Sequence, residues 1–249
     1  VEHMKILLPP SETKRPGGRN RPLDVGGLAL PGLAAQREAC IDALVALADD
    51  PAEARRVLGL SDRQLGEIEH DGMLRTAPTM AAVDRYTGVL YDALDAAELD
   101  AAARRWLGAN VMIHSAPFGP VGALDAIPLY RLGAAASVPG IPPLRRHWAD
   151  AVSAELADIG FILDLRSEAY VALGPVPASA PAAYVRVVTE TGRALNHFNK
   201  KSKGLLVRSL ARSRPRVRSA RSLLEWAVAE GVPLRPTADA GVLELIAVT

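Results

Sequence analysis

The chain's first apolar run, "MKILLPP" (residues 4–10), stops at Pro9, because proline cannot donate to a sheet ladder; the pattern predicts a short buried strand. "KRPGGRNRPLDVGG" (14–27) is dense in Gly, Pro and Asn and reads as a mobile loop. From Gly32 to about Gly72 the apolar positions take helical spacing. Leu33, Cys40, Leu44 and Leu47 share one stripe. Asp50-Pro51 opens a second run with an acidic cap and a first-turn proline, and Ser61 with Gln64 three residues on opens a third. Thr79 then starts a helix through "MAAVDRYTGVLYDALDA", with Val83, Tyr86, Leu90 and Leu94 along one side.

"NVMIHSAPFG" (110–119) is a second strand, "LRRHWADAVSAELADI" (144–159) an amphipathic helix, and "GFILDLRS" (160–167) a third strand with a polar exit. "AAYVRVVTE" and "ALNHFN" alternate apolar and polar residues about a Thr-Gly connection, a hairpin pattern. "KKSKGLLVRSLARSRPRVRS" is a basic helix that breaks before Pro215. A helix around Glu225-Trp226 and a strand "GVLELIAV" follow. Helices and strands interleave, strands are few, and one pair reads as a hairpin. The expectation is therefore α/β, a mixed sheet flanked by helices, rather than a regular doubly wound fold. No repeat or linker divides the chain, so residues 4–249 read as a single domain, and "VEH" before Met4 reads as a tag remnant.

Three of these strands end in polar clusters: "PPSETK", "HSAPFG" and "DLRS". Loops that leave one edge of a sheet converge, so such ends supply a binding crevice, although Ser, Asp and Thr also cap helices. Composition adds limits. A net charge of +1 leaves no global field to attract nucleic acid, so any basic surface is local. The single cysteine, Cys40, lies in an apolar pattern and reads as a small buried hydrophobe. No apolar stretch is long enough to span a membrane and no signal peptide is seen, so a soluble cytoplasmic protein is expected.

"LLPPSETK", "YTGVLYDAL", "HSAPFG…LDAIPLYRL", "DLRSEAY" and "HFNKKSKG" occur in the order and nearly the spacing of the YaaA family, which the chain resembles from Met4 to about Arg208. The resemblance implies an unusual α/β fold with a positively charged cleft, DNA-binding ability, and a role in hydrogen peroxide stress through keeping unincorporated iron low. It places site motifs on Ser11, Thr13 and Lys14, on Tyr86, Gly88 and Tyr91, and on Ser115, Phe118, Gly119 and Asp125. It also places them on Tyr130, Arg131, Ser167, Tyr170, Phe198, Lys200, Lys201, Lys203 and Gly204. Where relatives read Arg-Pro, this chain has Gly122-Ala123, so one cleft cation is missing.

These residue types suit an oxyanion. Arg131 offers a bidentate fork and Lys14, Lys200 and Lys203 point charges, while Ser11, Thr13, Ser115 and Ser167 offer short hydroxyl donors. Tyr86 and Tyr170 are either stacking platforms for a base or core tyrosines with tethered hydroxyls. Asp164 and Glu168 are candidate catalytic carboxylates, as in N-glycosidic cleavage, or else ion-pair partners of Arg131 or Arg166; Asp125 is expected to be such a partner. His114 and His197 adjoin site motifs and either exchange protons near neutral pH or, the favoured reading, serve structural roles. No histidine pair has ligand spacing, so no metal site is expected, and no cofactor motif is present. Arg208, Arg212, Arg214, Arg216, Arg218 and Arg221 lie in a stretch without acids or interleaved aromatics, which fits contact with a phosphate backbone rather than base reading. Two functions follow: a stress protein that binds DNA, or an enzyme acting on a nucleotide or another phosphorylated small molecule.

Overall fold

Residues 4–193 and 199–247 are described by the computed structural model. The strands are β1 (Lys5–Leu8), β2 (Met80–Ala81), β3 (Val111–Ser115), β4 (Gly119–Gly122), β5 (Ala126–Ile127), β6 (Ile162–Asp164), β7 (Ala182–Val188), β8 (Leu234–Pro236) and β9 (Val242–Ile246). The helices are α1 (Ala34–Ala48), α2 (Pro51–Leu58), α3 (Ile68–Gly72), α4 (Ala82–Arg85), α5 (Val89–Leu94), α6 (Ala101–Asn110), α7 (Leu144–Leu156), α8 (Glu168–Leu173), α9 (Asn199–Ser213) and α10 (Ala220–Glu230).

Seven strands form one mixed sheet in the order β4-β3-β1-β6-β7-β9-β8. The central strands β3, β1, β6, β7 and β9 are parallel, and β4 and β8 close the edges antiparallel. Parallel strands are covered on both faces, so their sequences read as unbroken apolar runs. Ile6, Leu7, Leu8, Ile113, Ile162 and Leu163 are all fully buried. The chain moves from β1 to β3 on one side and later to β6 on the other. That change of direction makes the carboxyl end of β1 a topological switch point, which is where open α/β sheets hold ligands.

The predicted helix starts are present in α2, whose Asp50 cap accepts the Glu53 N–H at 3.2 Å, and at Ser61, whose N–H is taken by Gln64 at 3.0 Å. The Ser61 start, however, leads into a 3-10 helix before α3. The helix expected from Thr79 is interrupted: α4 ends at Arg85, Tyr86 is extended, and α5 begins after Gly88. Gly88 has φ +100°, and a Cβ there would sit 3.1 Å from Ser11 Oγ and 3.2 Å from Thr13 Oγ1. The break lets Lys14 bridge to Tyr86 in antiparallel fashion, with the Thr87 N–H on the Thr13 carbonyl at 3.1 Å.

The loop expected to be mobile is tied down. Buried Arg85 donates to the carbonyls of Arg15 and Gly17, each at 2.7 Å, and Asn20 bridges to Thr79. Arg37, equally buried, holds the carbonyls of Ala29, Phe118 and Pro120 at 2.7–2.9 Å. For β7, both edges are taken, by β6 and β9. The proposed partner arm "ALNHFN" lies almost entirely outside the described residues.

Candidate functional site

Because β1, β3 and β6 run parallel, the segments that leave them emerge at one edge: residues 9–14, 116–118 and 165–167. The predicted meeting of "PPSETK", "HSAPFG" and "DLRS" is thus a consequence of sheet direction. Lys14 is the centre of one half of this edge. Its Nζ stands 4.2 Å from the centroid of the Tyr130 ring and 5.8 Å from that of Tyr86, and donates to the Glu12 carbonyl at 3.2 Å. The Tyr86 and Tyr130 hydroxyls bond each other at 2.7 Å, and Tyr91 donates to the Pro9 carbonyl at 2.6 Å. Ser11 Oγ and Thr13 Oγ1 are 3.2 Å apart, with Thr13 exposed.

Arg131 completes this half. Its guanidinium pairs with Glu67 at 3.3 Å, and its backbone N–H donates to Asp71 Oδ1 at 2.7 Å. Burial lowers the Lys14 ammonium to a pKa of about 8, with Arg131 adding repulsion and Glu67, Asp71 and Glu12 opposing it. Burial also raises the Asp71 carboxyl to about 7, against the bond from Arg131 and the charge of Lys14.

The second half centres on Arg166, which is fully buried. Its Nε and Nη2 grip Asp164 at 2.9 and 2.8 Å, and its Nη1 reaches His114 Nδ1 at 3.0 Å and the Gly174 carbonyl at 2.8 Å. His114 Nδ1 is therefore the acceptor and the proton sits on Nε2, which has no partner among the described residues. Burial, with Arg166 beside it, holds His114 neutral, well below the ordinary imidazole value, so it does not exchange protons near pH 7. The Tyr170 ring packs edge-on against His114, 5.6 Å between centroids. Lys203, on α9, is 4% exposed; burial lowers its ammonium to about 8, while nearby Asp164 opposes the shift.

Several sequence expectations take a different form here. Ser115 is fully buried and its hydroxyl closes the β3–β4 turn, accepting the Phe118 N–H at 3.0 Å and donating to the Gly119 carbonyl at 3.2 Å. Of the two tyrosines read as stacking platforms or core residues, Tyr86 is 2% exposed and is a core residue, and Tyr170 is partly buried. Asp125 pairs with neither Arg131 nor Arg166; it accepts the N–H groups of Ala29 and Gly122 at 2.8 and 2.7 Å. Asp164 is bound bidentately to Arg166, which leaves Glu168, exposed in the first turn of α8, as the carboxylate of the pair open to solvent. Ser167 and Lys200 are also exposed, and His197 and Phe198 lie outside the described residues. Glu67 and Asp71 were missed because nothing in "GEIEHDG" marks them as partners of an arginine some sixty positions away.

Of the arginine stretch, Arg208 donates to the carbonyls of Leu94 and Asp95, each at 2.9 Å, and so caps α5. Arg214 faces Asp100 at 3.9 Å and Arg221 faces Glu225 at 3.5 Å. Arg212, Arg216 and Arg218 are exposed without a carboxylate partner among the described residues. Cys40 is buried, which pushes its thiol up to about 12 and leaves it unreactive. Two surface hollows, of about 650 Å³ beside α2 and α3 and about 210 Å³ beside Asn20–Asp24, are lined by none of the strand-end residues. The exposed lining of both is mainly apolar, so the strand-end edge, where charged and hydroxyl side chains gather, is the better candidate. Among the described residues no group of three metal-ligating side chains occurs, and no helix is long and apolar enough to cross a membrane.

The fold and this edge define a class: a mixed α/β protein with a polar, partly desolvated cluster at the switch point of its sheet. The profile of the family described as "Peroxide stress protein YaaA" matches residues 4–230. A UPF0246 protein of Streptomyces coelicolor is 45% identical over 214 residues, which span 83% of this chain and 82% of the relative. A UPF0246 protein of Corynebacterium glutamicum is 41% identical over 236 residues, 92% of this chain and 94% of the relative. The chain belongs to the YaaA peroxide stress protein family.

Proposed function

We propose that this family member serves peroxide defence by binding a compact phosphate-bearing ligand at the carboxyl edge of its parallel strands. One observation carries the reading: two cations, Lys14 and Arg131, are close enough to repel each other, and Lys14 follows directly in the chain on the segment that pairs the Ser11 and Thr13 hydroxyls. Like charges brought together at a strand edge are stabilised by an anion between them. Compactness follows from the carboxylates. Glu12 and Glu67 stand beside the same cations, and Glu168 is exposed beyond β6. They would repel a continuous polyanion, whereas a small phosphate can touch the cations and avoid them.

A second reading, contact with duplex DNA, is favoured by Arg212, Arg216 and Arg218, which are exposed and unpaired among the described residues. It uses a different surface. Salt separates the two readings, because backbone contacts release counterions and a single pocket phosphate does so far less.

The test is calorimetric titration with glycerol 3-phosphate and adenosine 5′-monophosphate at rising salt. Arg131→Ala should weaken binding by about 10–100-fold, as expected when a bidentate charge-assisted contact is lost. If neither probe binds the native protein, or if the substitution leaves affinity unchanged, the anion site is wrong.

A further inference from the structure

The chain has five lysines, and Lys14 is held unlike the others. Lys200 and Lys201 are exposed at the start of α9, Lys5 donates to the Ala109 carbonyl at 2.6 Å, and Lys203 is 4% exposed. Lys14 is half-buried, so its amine is partly stripped of water while the residue keeps contact with solvent, and its neighbour Thr13 is exposed. Its backbone is fixed by the bridge to Tyr86, and its ammonium lies over the face of Tyr130. It forms no ion pair with a carboxylate among the described residues, and the charge of Arg131 opposes its own. A lysine desolvated next to a second cation is the arrangement that yields a nucleophilic amine. With a pKa of about 8, roughly a quarter of Lys14 is neutral at pH 7.5, about 200 times the fraction for an ordinary lysine.

We propose that Lys14 captures a carbonyl: its Nζ adds to the aldehyde carbon of a phosphate-bearing aldehyde whose phosphate rests on Arg131 and the Ser11 and Thr13 hydroxyls. The proposal rests on the anion reading above and names the ligand's second functional group. In the step, the nitrogen lone pair forms a C–N bond while the carbonyl π pair moves to oxygen, giving a carbinolamine. One nitrogen proton passes to that oxygen to complete the carbinolamine hydroxyl; the hydroxyl then leaves as water with the second nitrogen proton, and a C=N double bond remains. No oxidant or reductant is needed. Protonated, the imine keeps a cation over the Tyr130 ring, so the contact that holds the free ammonium also holds the product.

The experiment incubates the protein with glyceraldehyde 3-phosphate, reduces any imine with cyanoborohydride, and maps the adduct by peptide mass spectrometry. The expected result is an adduct on Lys14 that forms at least about tenfold faster than on Lys200 or Lys201, rises in rate up to about pH 8 and then levels. Glycerol 3-phosphate, which lacks the carbonyl, should block it. Lys14→Arg should abolish it while keeping the cation. An adduct spread over Lys200 and Lys201 by exposure, or seated on Lys203, overturns the proposal, and mapping on the native chain shows this even if the variant folds poorly. Binding of glycerol 3-phosphate that depends on Arg131, with no Lys14 adduct, sinks the imine and leaves the anion site standing. Equal labelling by glyceraldehyde without phosphate, unblocked by glycerol 3-phosphate, removes the anion reading and the aldehyde phosphate with it.

Discussion

Asp71 is 1% exposed, its Oδ1 accepts the Arg131 N–H, and its Oδ2 has no partner among the described residues. An unpartnered buried carboxylate oxygen is costly, and a proton on it removes the charge, which accords with the rise to about 7 caused by burial. The linkage has a definite sign. The folded state keeps this proton between about pH 4 and 7 while the unfolded chain has released it, so stability falls as pH rises through that window and stays low above it. Asp71→Asn keeps the acceptor for Arg131 and removes the titration. The variant should be more stable than the native protein at pH 8 by on the order of 2–4 kcal/mol and show a flatter pH profile. Thermal melts at pH 5 and pH 8 read this directly, and an unchanged slope in the variant would discard the assignment. None of it was legible in sequence, where Asp71 resembles a solvated helix acid. The position of Lys14 near the sheet edge was legible, because a residue six beyond the last residue of a terminated buried strand has few places to go.

At the level of elements, strand ends were readable and pairing was not. An apolar run that meets Pro9 must stop there, and parallel direction then brings the three polar exits to one edge. The edge strand "GPVG" was invisible because proline and glycine argue against a strand, yet β4 lies at the sheet margin, where missing donors are tolerated. The break at Gly88 was hidden too, since the apolar stripe runs through it without a change of period. Packing of α9 on α5 turns on another glycine. A Cβ at Gly204 would lie 2.2 Å from the Leu90 carbonyl oxygen and 2.9 Å from Ala93 Cβ. Helical backbone cannot swing aside, so Gly204→Ala should destabilise by about 2–3 kcal/mol through overpacking. It should also displace α9, which carries Lys200 and Lys203. Gly66, where a Cβ would meet nothing within 4 Å, supplies the comparison: Gly66→Ala should stay within about 0.5 kcal/mol. Urea unfolding of the two variants decides it, and equal midpoints would mean that α9 is free to shift.

For the molecule as a whole, a net charge of +1 hides a division of labour. The carboxyl edge interleaves cations with Glu12, Glu67 and Glu168, while the end of α9 and the segment after it concentrate arginines without acids. Composition showed the second and could not show the first, because the acids reach the edge only through the fold. Two surfaces of such different character should respond separately. Changing Arg212, Arg216 and Arg218 together to Ser removes three phosphate partners, so any duplex affinity should lose about 2.7 from the slope of log affinity against log salt. Glycerol 3-phosphate titration of the same variant should be unaltered, and Arg131→Ala should show the converse. Fluorescence anisotropy with a labelled duplex, run beside the calorimetry, gives both readings on each variant. If the triple change and Arg131→Ala each abolish both activities, the carboxyl edge and the arginine segment form one continuous phosphate surface, and the carboxylates between them do not exclude a polyanion.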